Sequence, residues 1–179
     1  MTPFTLQPTD LIGNKIRLLP LKSEHFEGLF AVAADPLLWA QHPNPNRYQR
    51  DVFENYFEGA LASHGAFLVV EKETDAVVGC SRFYDYDAST SSILIGYTFV
   101  GRSYWGKGFN RELKKLMLSY IFQYVDTVFF HIGAQNLRSQ KAIEKIGAQK
   151  VSEIEVAYYG EPEKINFVYE IQRHQISGL

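Results

Sequence analysis

Between residues 93 and 123 the apolar residues change their period, and they do so across a turn that holds three glycines. Ile93 to Val100 is a β-type run, whereas Leu113, Leu116, Met117, Tyr120 and Ile121 recur at helical spacing. The ten residues between them read Gly101-Arg-Ser-Tyr-Trp-Gly-Lys-Gly-Phe-Asn110. A glycine-rich turn that feeds a helix presents unpaired backbone N–H groups at the positive end of the helix dipole, and the two together bind phosphate. Gly106 and Gly108 let the backbone approach an anion closely. The spacing is neither the GxxxxGK[ST] of a nucleotide P-loop nor a complete three-glycine dinucleotide fingerprint.

The rest of the chain supplies further elements in a definite order. Lys15 to Leu21 is a short strand, followed by Ser23 as a helix N-cap with Glu24 just inside. Phe26, Leu29, Phe30 and Ala33 mark one helical face, which Asp35-Pro36 closes. A second helix starts near Asp51 and buries Phe53, Tyr56, Phe57, Ala60 and Leu61. The proline-rich loop between them, 38–48, carries Trp39, His42 and Arg47. Strands are expected over 67–71, 77–84, 93–100, 127–134, 151–158 and 165–171, and a short helix over 139–146 that ends at Gly147. The order β-α-α-β-β-β-α-β-α-β-β suits an α/β domain with a mixed central sheet, not a doubly wound parallel one. No repeat or linker-like stretch divides the 179 residues, so one domain is expected over 1–179.

Charge narrows the functional classes. The net charge is −2, so no global basic field recruits nucleic acid or an anionic membrane. Residues 101–115 nevertheless carry +4, from Arg102, Lys107, Arg111, Lys114 and Lys115 against Glu112, while the remainder carries −6. Positive charge therefore gathers beside the glycine turn, which favours a phosphorylated ligand. Cys80 is alone, so it forms neither an intramolecular disulfide nor a cysteine-rich metal site, and it reads as a buried structural thiol. No apolar stretch approaches a membrane span, and the first residues lack the pattern of a signal peptide. A soluble, cytoplasmic protein without a metal is expected, as a monomer or homodimer.

The turn Trp105-Gly106-Lys107-Gly108-Phe109-Asn110 resembles the pyrophosphate loop of the GCN5-related N-acetyltransferases (GNAT), patterned [Q/R]-x-x-G-x-[G/A]. Asn136-Leu-Arg-Ser139-Gln-Lys-Ala142-Ile-Glu-Lys145-Ile-Gly147 is similar to a second signature of that family, and it begins 26 residues after Asn110. The resemblance covers about residues 12–172 and is closest to the branch of ribosomal-protein-alanine N-acetyltransferases, in which tryptophan precedes the loop glycine. It implies a mixed, mostly antiparallel sheet with a splayed parallel pair, flanked by helices. It implies transfer of an acetyl group from acetyl-CoA to a primary amine, either a protein N-terminus or a small molecule, by direct attack on the thioester.

Carried over residue by residue, the resemblance assigns the pyrophosphate to the loop amides of residues 105–110 and the pantetheine arm to Asn136. Ser139 stands near the thioester sulfur as a proton donor to the leaving thiolate, and Arg138 or Lys141 meets the CoA phosphates. Trp39, His42 and Tyr158, with Tyr159, line the acceptor pocket. Two positions depart from the family: Ile143 replaces its usual tyrosine acid, and Leu94 stands where a glutamate base is common. His131, or Asp85 and Asp87, is the replacement base. The missing groups leave a second reading, a non-catalytic CoA-binding or regulatory module.

Overall fold

The computed structural model describes residues 4–157 and 161–176. Seven strands form one sheet: β1 (Ile16–Pro20), β2 (Ala66–Glu71), β3 (Val77–Asp87), β4 (Ser92–Val100), β5 (Thr127–Gly133), β6 (Gln149–Ala157) and β7 (Glu163–Gln172). Their order across the sheet is β1-β2-β3-β4-β5-β7-β6. Every neighbouring pair is antiparallel except β4 and β5, which run parallel. The helices are α1 (Phe26–Ala33), α2 (Arg50–Ala62), α3 (Phe109–Ile121) and α4 (Leu137–Glu144). The mixed sheet expected from the element order is the one observed, and most boundaries agree within two or three residues.

The core falls into two apolar clusters. Leu29, Phe53, Phe57 and Phe99 belong to the cluster beneath α1 and α2. Ile93, Ile95, Leu113, Met117, Phe130 and Ile143 belong to the one beneath α3 and α4. One expected cap is displaced. Residues Ser23–His25 wind into a tight three-residue turn, closed by the His25 N–H to Lys22 O bond at 3.0 Å. His25, not Ser23, therefore precedes α1. At the other end α1 closes before Asp35-Pro36 with the Ala34 N–H to Phe30 O bond at 2.8 Å, and Asp35 Oδ1 accepts the Leu37 N–H at 3.0 Å to cap the tight turn that follows.

The parallel contact is the shortest in the sheet. Only Ser92, Ile93 and Leu94 pair, with Thr127, Val128 and Phe129, and beyond them the two strands part. The cause lies on the other side of β4. Against β3, the step from Phe99 to Gly96 spans three residues while Cys80 to Arg82 spans two, so β4 carries a bulge. Tyr97 sits within it at φ 51°, a left-handed conformation that a bulky residue adopts only when its surroundings enforce it. Tyr56 of α2 enforces it, donating its hydroxyl to Tyr97 O at 2.6 Å. The Arg82 guanidinium lies 3.5 Å from the Tyr97 ring centroid, itself held by Gly59 O at 2.8 Å. Tyr56→Phe should leave a buried carbonyl without this donor and lower stability by about 1–2 kcal/mol. Urea unfolding measures the loss, and a variant as stable as the parent would show that the bulge is held by other means.

Candidate active site

Where β4 and β5 part, a cleft of about 710 Å³ opens between them and runs over the start of α3 and the flank of α4. Its anion-binding end is the glycine turn. Gly106 and Gly108 adopt φ 72° and 85°, which glycine takes without a Cβ penalty. The amides of Gly106, Gly108, Phe109, Asn110 and Arg111 have no backbone acceptor, since the first α3 bond is Glu112 N–H to Gly108 O. Those of Trp105 and Lys107 are already engaged by Arg102 O and Tyr104 O, at 3.1 and 3.4 Å. The cradle is thus formed by five amides, shifted one residue along from the expected 105–110 span. Lys15 of the β1 approach buttresses it, donating from Nζ to Lys107 O at 2.6 Å. The space around Gly106 is open, with no heavy atom within 4 Å of where its Cβ would be. Asn110 Oδ1 is buried with no hydrogen-bond partner. An open cradle of unpaired amide donors fits a bound pyrophosphate.

The opposite wall comes from α4. Asn136 caps this helix by accepting the Ser139 N–H on Oδ1 at 3.2 Å, so its carbonyl oxygen is a structural group and its Nδ2 is the end that remains for a ligand. Ser139, half-buried, lines the cleft with Asn136. The Arg138 guanidinium stacks 3.8 Å from the Trp105 ring centroid, bridging the two walls, and Trp105 Nε1 donates to Val100 O at 2.7 Å. Ile143 is buried on the same wall. Leu94 is in the last paired position before the splay.

The far end of the cleft is closed by the 38–48 loop. Trp39 is buried and its Nε1 donates to Ala33 O at 2.7 Å, so only its ring contributes to the lining. Arg47, 1% exposed, donates from Nε and Nη2 to Glu161 Oε1 at 2.8 and 2.6 Å. Its Nη1 lies 3.2 Å from His42 Nε2. A guanidinium only donates, so Nε2 faces a donor, while Nδ1 faces both the Asn44 N–H at 2.9 Å and Asn44 O at 3.2 Å. Burial, then the Arg47 charge, hold His42 well below the usual imidazole range. His42 is therefore a fixed wall of this end of the cleft, its charged form disfavoured. Tyr158 and Tyr159 lie outside the described residues.

Among the described residues no carboxylate lines the cleft, whereas Arg47, Arg111, Lys114, Arg138, Lys141 and Lys145 all do. Asp85 and Asp87 are exposed at the far end of β3, and Asp87 caps its own turn through Ser89 N–H at 2.8 Å. Cys80 is buried, and burial pushes its thiol up, away from reactivity. His131, half-buried, reaches the cleft from β5; burial lowers its pKa against the opposing pull of Asp85. Lys114 departs from its place in the basic surface patch. It is 4% exposed, and burial lowers its pKa to about 7. The sequence does hold the signal: Lys114, Met117 and Ile121 share one helical face, which makes 114 a core position. No group of three His, Cys, Asp or Glu side chains among the described residues is placed to hold a metal ion.

A central sheet that splits over a glycine turn and a basic cleft defines a class of acyl-carrier-binding folds, and the comparisons place the chain within it. Residues 15–149 match the family model described as Acetyltransferase (GNAT) domain, and the chain belongs to that family. An uncharacterized N-acetyltransferase p20 of Bacillus licheniformis is 31% identical over 86 residues, 47% of this chain and 48% of that protein. The chain thus aligns with about half of that relative's length. A probable GNAT-family acetyltransferase from Chromobacterium violaceum has the same fold, at TM-score 0.82 and 18% identity, covering 96% of this chain and 90% of the other. So does the microcin C7 self-immunity acetyltransferase MccE, solved with acetyl-CoA and AMP, at TM-score 0.72 and 13% identity over 94% and 98% of the two chains.

The neutral histidines set a pH dependence. His42, His131 and His25 all have folded pKa values below the ordinary 6.5, so above that pH both states are neutral and stability is complete. As pH falls through 6.5 the unfolded chain takes protons that the folded one refuses. Stability should then drop by up to about 1.4 kcal/mol per pH unit for each such histidine. Urea unfolding between pH 7 and 5 should show this decline, and His42→Asn should flatten it. An unchanged slope in the variant would remove His42 from the account.

Proposed function

We propose that the chain is a single-domain, acyl-CoA-dependent N-acetyltransferase, with acetyl-CoA as donor and a primary amine as acceptor. The observation that carries this reading is the cleft in the β4–β5 splay, with five unpaired amides at one end and six basic side chains but no carboxylate on its walls. That surface suits a polyanion continuous with a narrow arm. A protein of the same fold was solved with acetyl-CoA, which supports the same donor here. When bound, acetyl-CoA supplies a thioester carbonyl open to attack by an amine. The turn amides hold its pyrophosphate, Asn136 Nδ2 meets the pantetheine arm, and Ser139 donates a proton to the departing thiolate. His131, uncharged at neutral pH, accepts a hydrogen bond from the incoming amine. Trp39 and the His42–Arg47–Glu161 cluster shape the acceptor end. The tryptophan before the loop glycine supports a protein N-terminus as acceptor, in the manner of the alanine branch.

Catalysis in this arrangement is mainly positioning, with modest proton help. The buried Ile143 and the paired Leu94 favour a second reading, a CoA-binding module without turnover, because neither side chain transfers a proton. Free-thiol release from acetyl-CoA across small amines and alanine-ended peptides separates the two: turnover with any acceptor establishes the enzyme. Saturating acetyl-CoA, at ~100-fold above Kd, should stabilise the fold by about 2.7 kcal/mol. Gly108→Val should abolish this gain, because a branched side chain at φ 85° blocks the cradle and strains the turn. A melting temperature that rises with ATP or NAD but not with acetyl-CoA would overturn the assignment. Ser139→Ala should lower kcat by ~10-fold with donor affinity retained, a loss of about 1.4 kcal/mol in transition-state stabilisation. An unchanged kcat would take Ser139 out of the mechanism.

A further inference from the structure

Among the described residues Lys114 is a buried amine with no acid to pair it. Its Nζ lies 2.5 Å from Thr98 Oγ1 on the splayed part of β4 and 5.7 Å from the centroid of the Phe130 ring on β5, so it spans the floor of the cleft where the strands part. Thr98 Oγ1 is in turn 2.7 Å from Ser81 Oγ on β3 and 3.4 Å from Gly96 O. The carboxylate nearest in sequence, Glu112, is turned to the amides of Lys15 and Ile16, at 2.8 and 3.4 Å. The other ionisable groups on the cleft add no negative charge: Arg111 on α3, Arg138, Lys141 and Lys145 around α4, His131 on β5, and His42 and Arg47 in the loop. β4 meets Lys114 with the Thr98 hydroxyl, which Ser81 of β3 backs, and β5 meets it with a ring. A buried amine in such company loses its proton readily and keeps a lone pair for use.

We propose that Lys114, rather than His131, is the group that removes the proton from the acceptor ammonium, in the acetyltransferase reading given above on which this inference rests. One N–H bond of the ammonium breaks and one forms on Lys114 Nζ, directly or through one water. The freed amine attacks the thioester carbon, the C–S bond breaks, and the thiolate takes a proton from Ser139, whose hydroxyl is restored by the proton the nitrogen sheds on forming the amide. Lys114 then returns its own proton to solvent, and the Thr98–Ser81 hydroxyls hold Nζ in place through both states. The choice between the two bases is one of strength. Burial lowers the Lys114 pKa to about 7, and it holds His131 below the imidazole value of 6.5. A base with its pKa near the working pH is the more effective one, and His42 is excluded because Arg47 faces its Nε2 and the Asn44 N–H its Nδ1.

The test is a pH profile of kcat for the wild-type protein, Lys114→Met, Lys114→Arg and His131→Ala, with acetyl-CoA binding followed separately by thermal shift. Both Lys114 variants should keep the acetyl-CoA shift, lose ~100-fold in kcat and lose the acidic limb near pH 7, while His131→Ala keeps that limb. Arginine preserves the charge but not the lone pair, so activity restored by Lys114→Arg would overturn the proposal in favour of a fixed cation. Loss of the limb in His131→Ala alone would overturn it in favour of the histidine. A wild-type protein without an acetyl-CoA shift would refute the donor assignment itself, a failure separate from this one. Should the variants not fold, lysine-selective NMR of the wild-type protein decides: an Nζ at position 114 titrating near 7 supports the proposal, and one titrating above 9 refutes it.

Discussion

The structure turns on how briefly β4 and β5 pair. Three residue pairs join them, and then a bulge at Tyr97 bends β4 away. A sheet does not open in this way at no cost, because both strands give up ladder hydrogen bonds along the splay. The opening is held from outside the pair: by the Tyr56 hydroxyl on Tyr97 O, and by the Arg82 guanidinium over the Tyr97 ring. Backbone groups left open in the splay become the walls of a slot. The helix that follows β4 then starts at the mouth of that slot, with its own first amides unpaired. Cleft and cradle are therefore two consequences of one local distortion.

Electrostatics follows from the same geometry. With no carboxylate among the described residues on the cleft, its cations are balanced only by what enters it. Arg47 is the exception. Glu161 neutralises it, and this pairing ties the 38–48 loop to the turn before β7. A buried pair of this kind contributes little net stability, because desolvation offsets its attraction, but it is costly to break. Its role is positional: it holds Arg47 against His42 and fixes the wall at this end of the cleft. Lys114 meets the opposite fate. Without an acid among the described residues its charge is destabilised by burial, which lowers the pKa of the amine to about 7.

Much of the fold was legible in the sequence because its elements are strongly periodic. The stripes on α2 and α3, the alternation in β5 and β7, and Gly147 closing α4 at φ 96° are local signals with local causes. The glycine turn was legible too, since Gly106 and Gly108 are the residues that take positive φ at no penalty. The displaced cap at Ser23 was not, because the choice between a tight three-residue turn and a capped helix depends on where β1 delivers the chain. Nor was the loss of the Trp105 and Lys107 amides from the cradle, which depends on the turn that precedes it.

What the sequence determined by itself was the set of elements, their order, and a basic glycine turn at the start of a helix, because these rest on spacing along the chain. Only the tertiary structure decided which titratable groups share a space. Lys114 and Lys115 are neighbours in a basic run, yet one is buried against Thr98 and the other is exposed. Arg47 and Glu161 stand 114 residues apart and form a buried pair. Charge on a chain is a property of composition, but pKa and pairing depend on burial and on partners brought together by folding. Those were decided by the bulge in β4 and by the helices packed on either side of it.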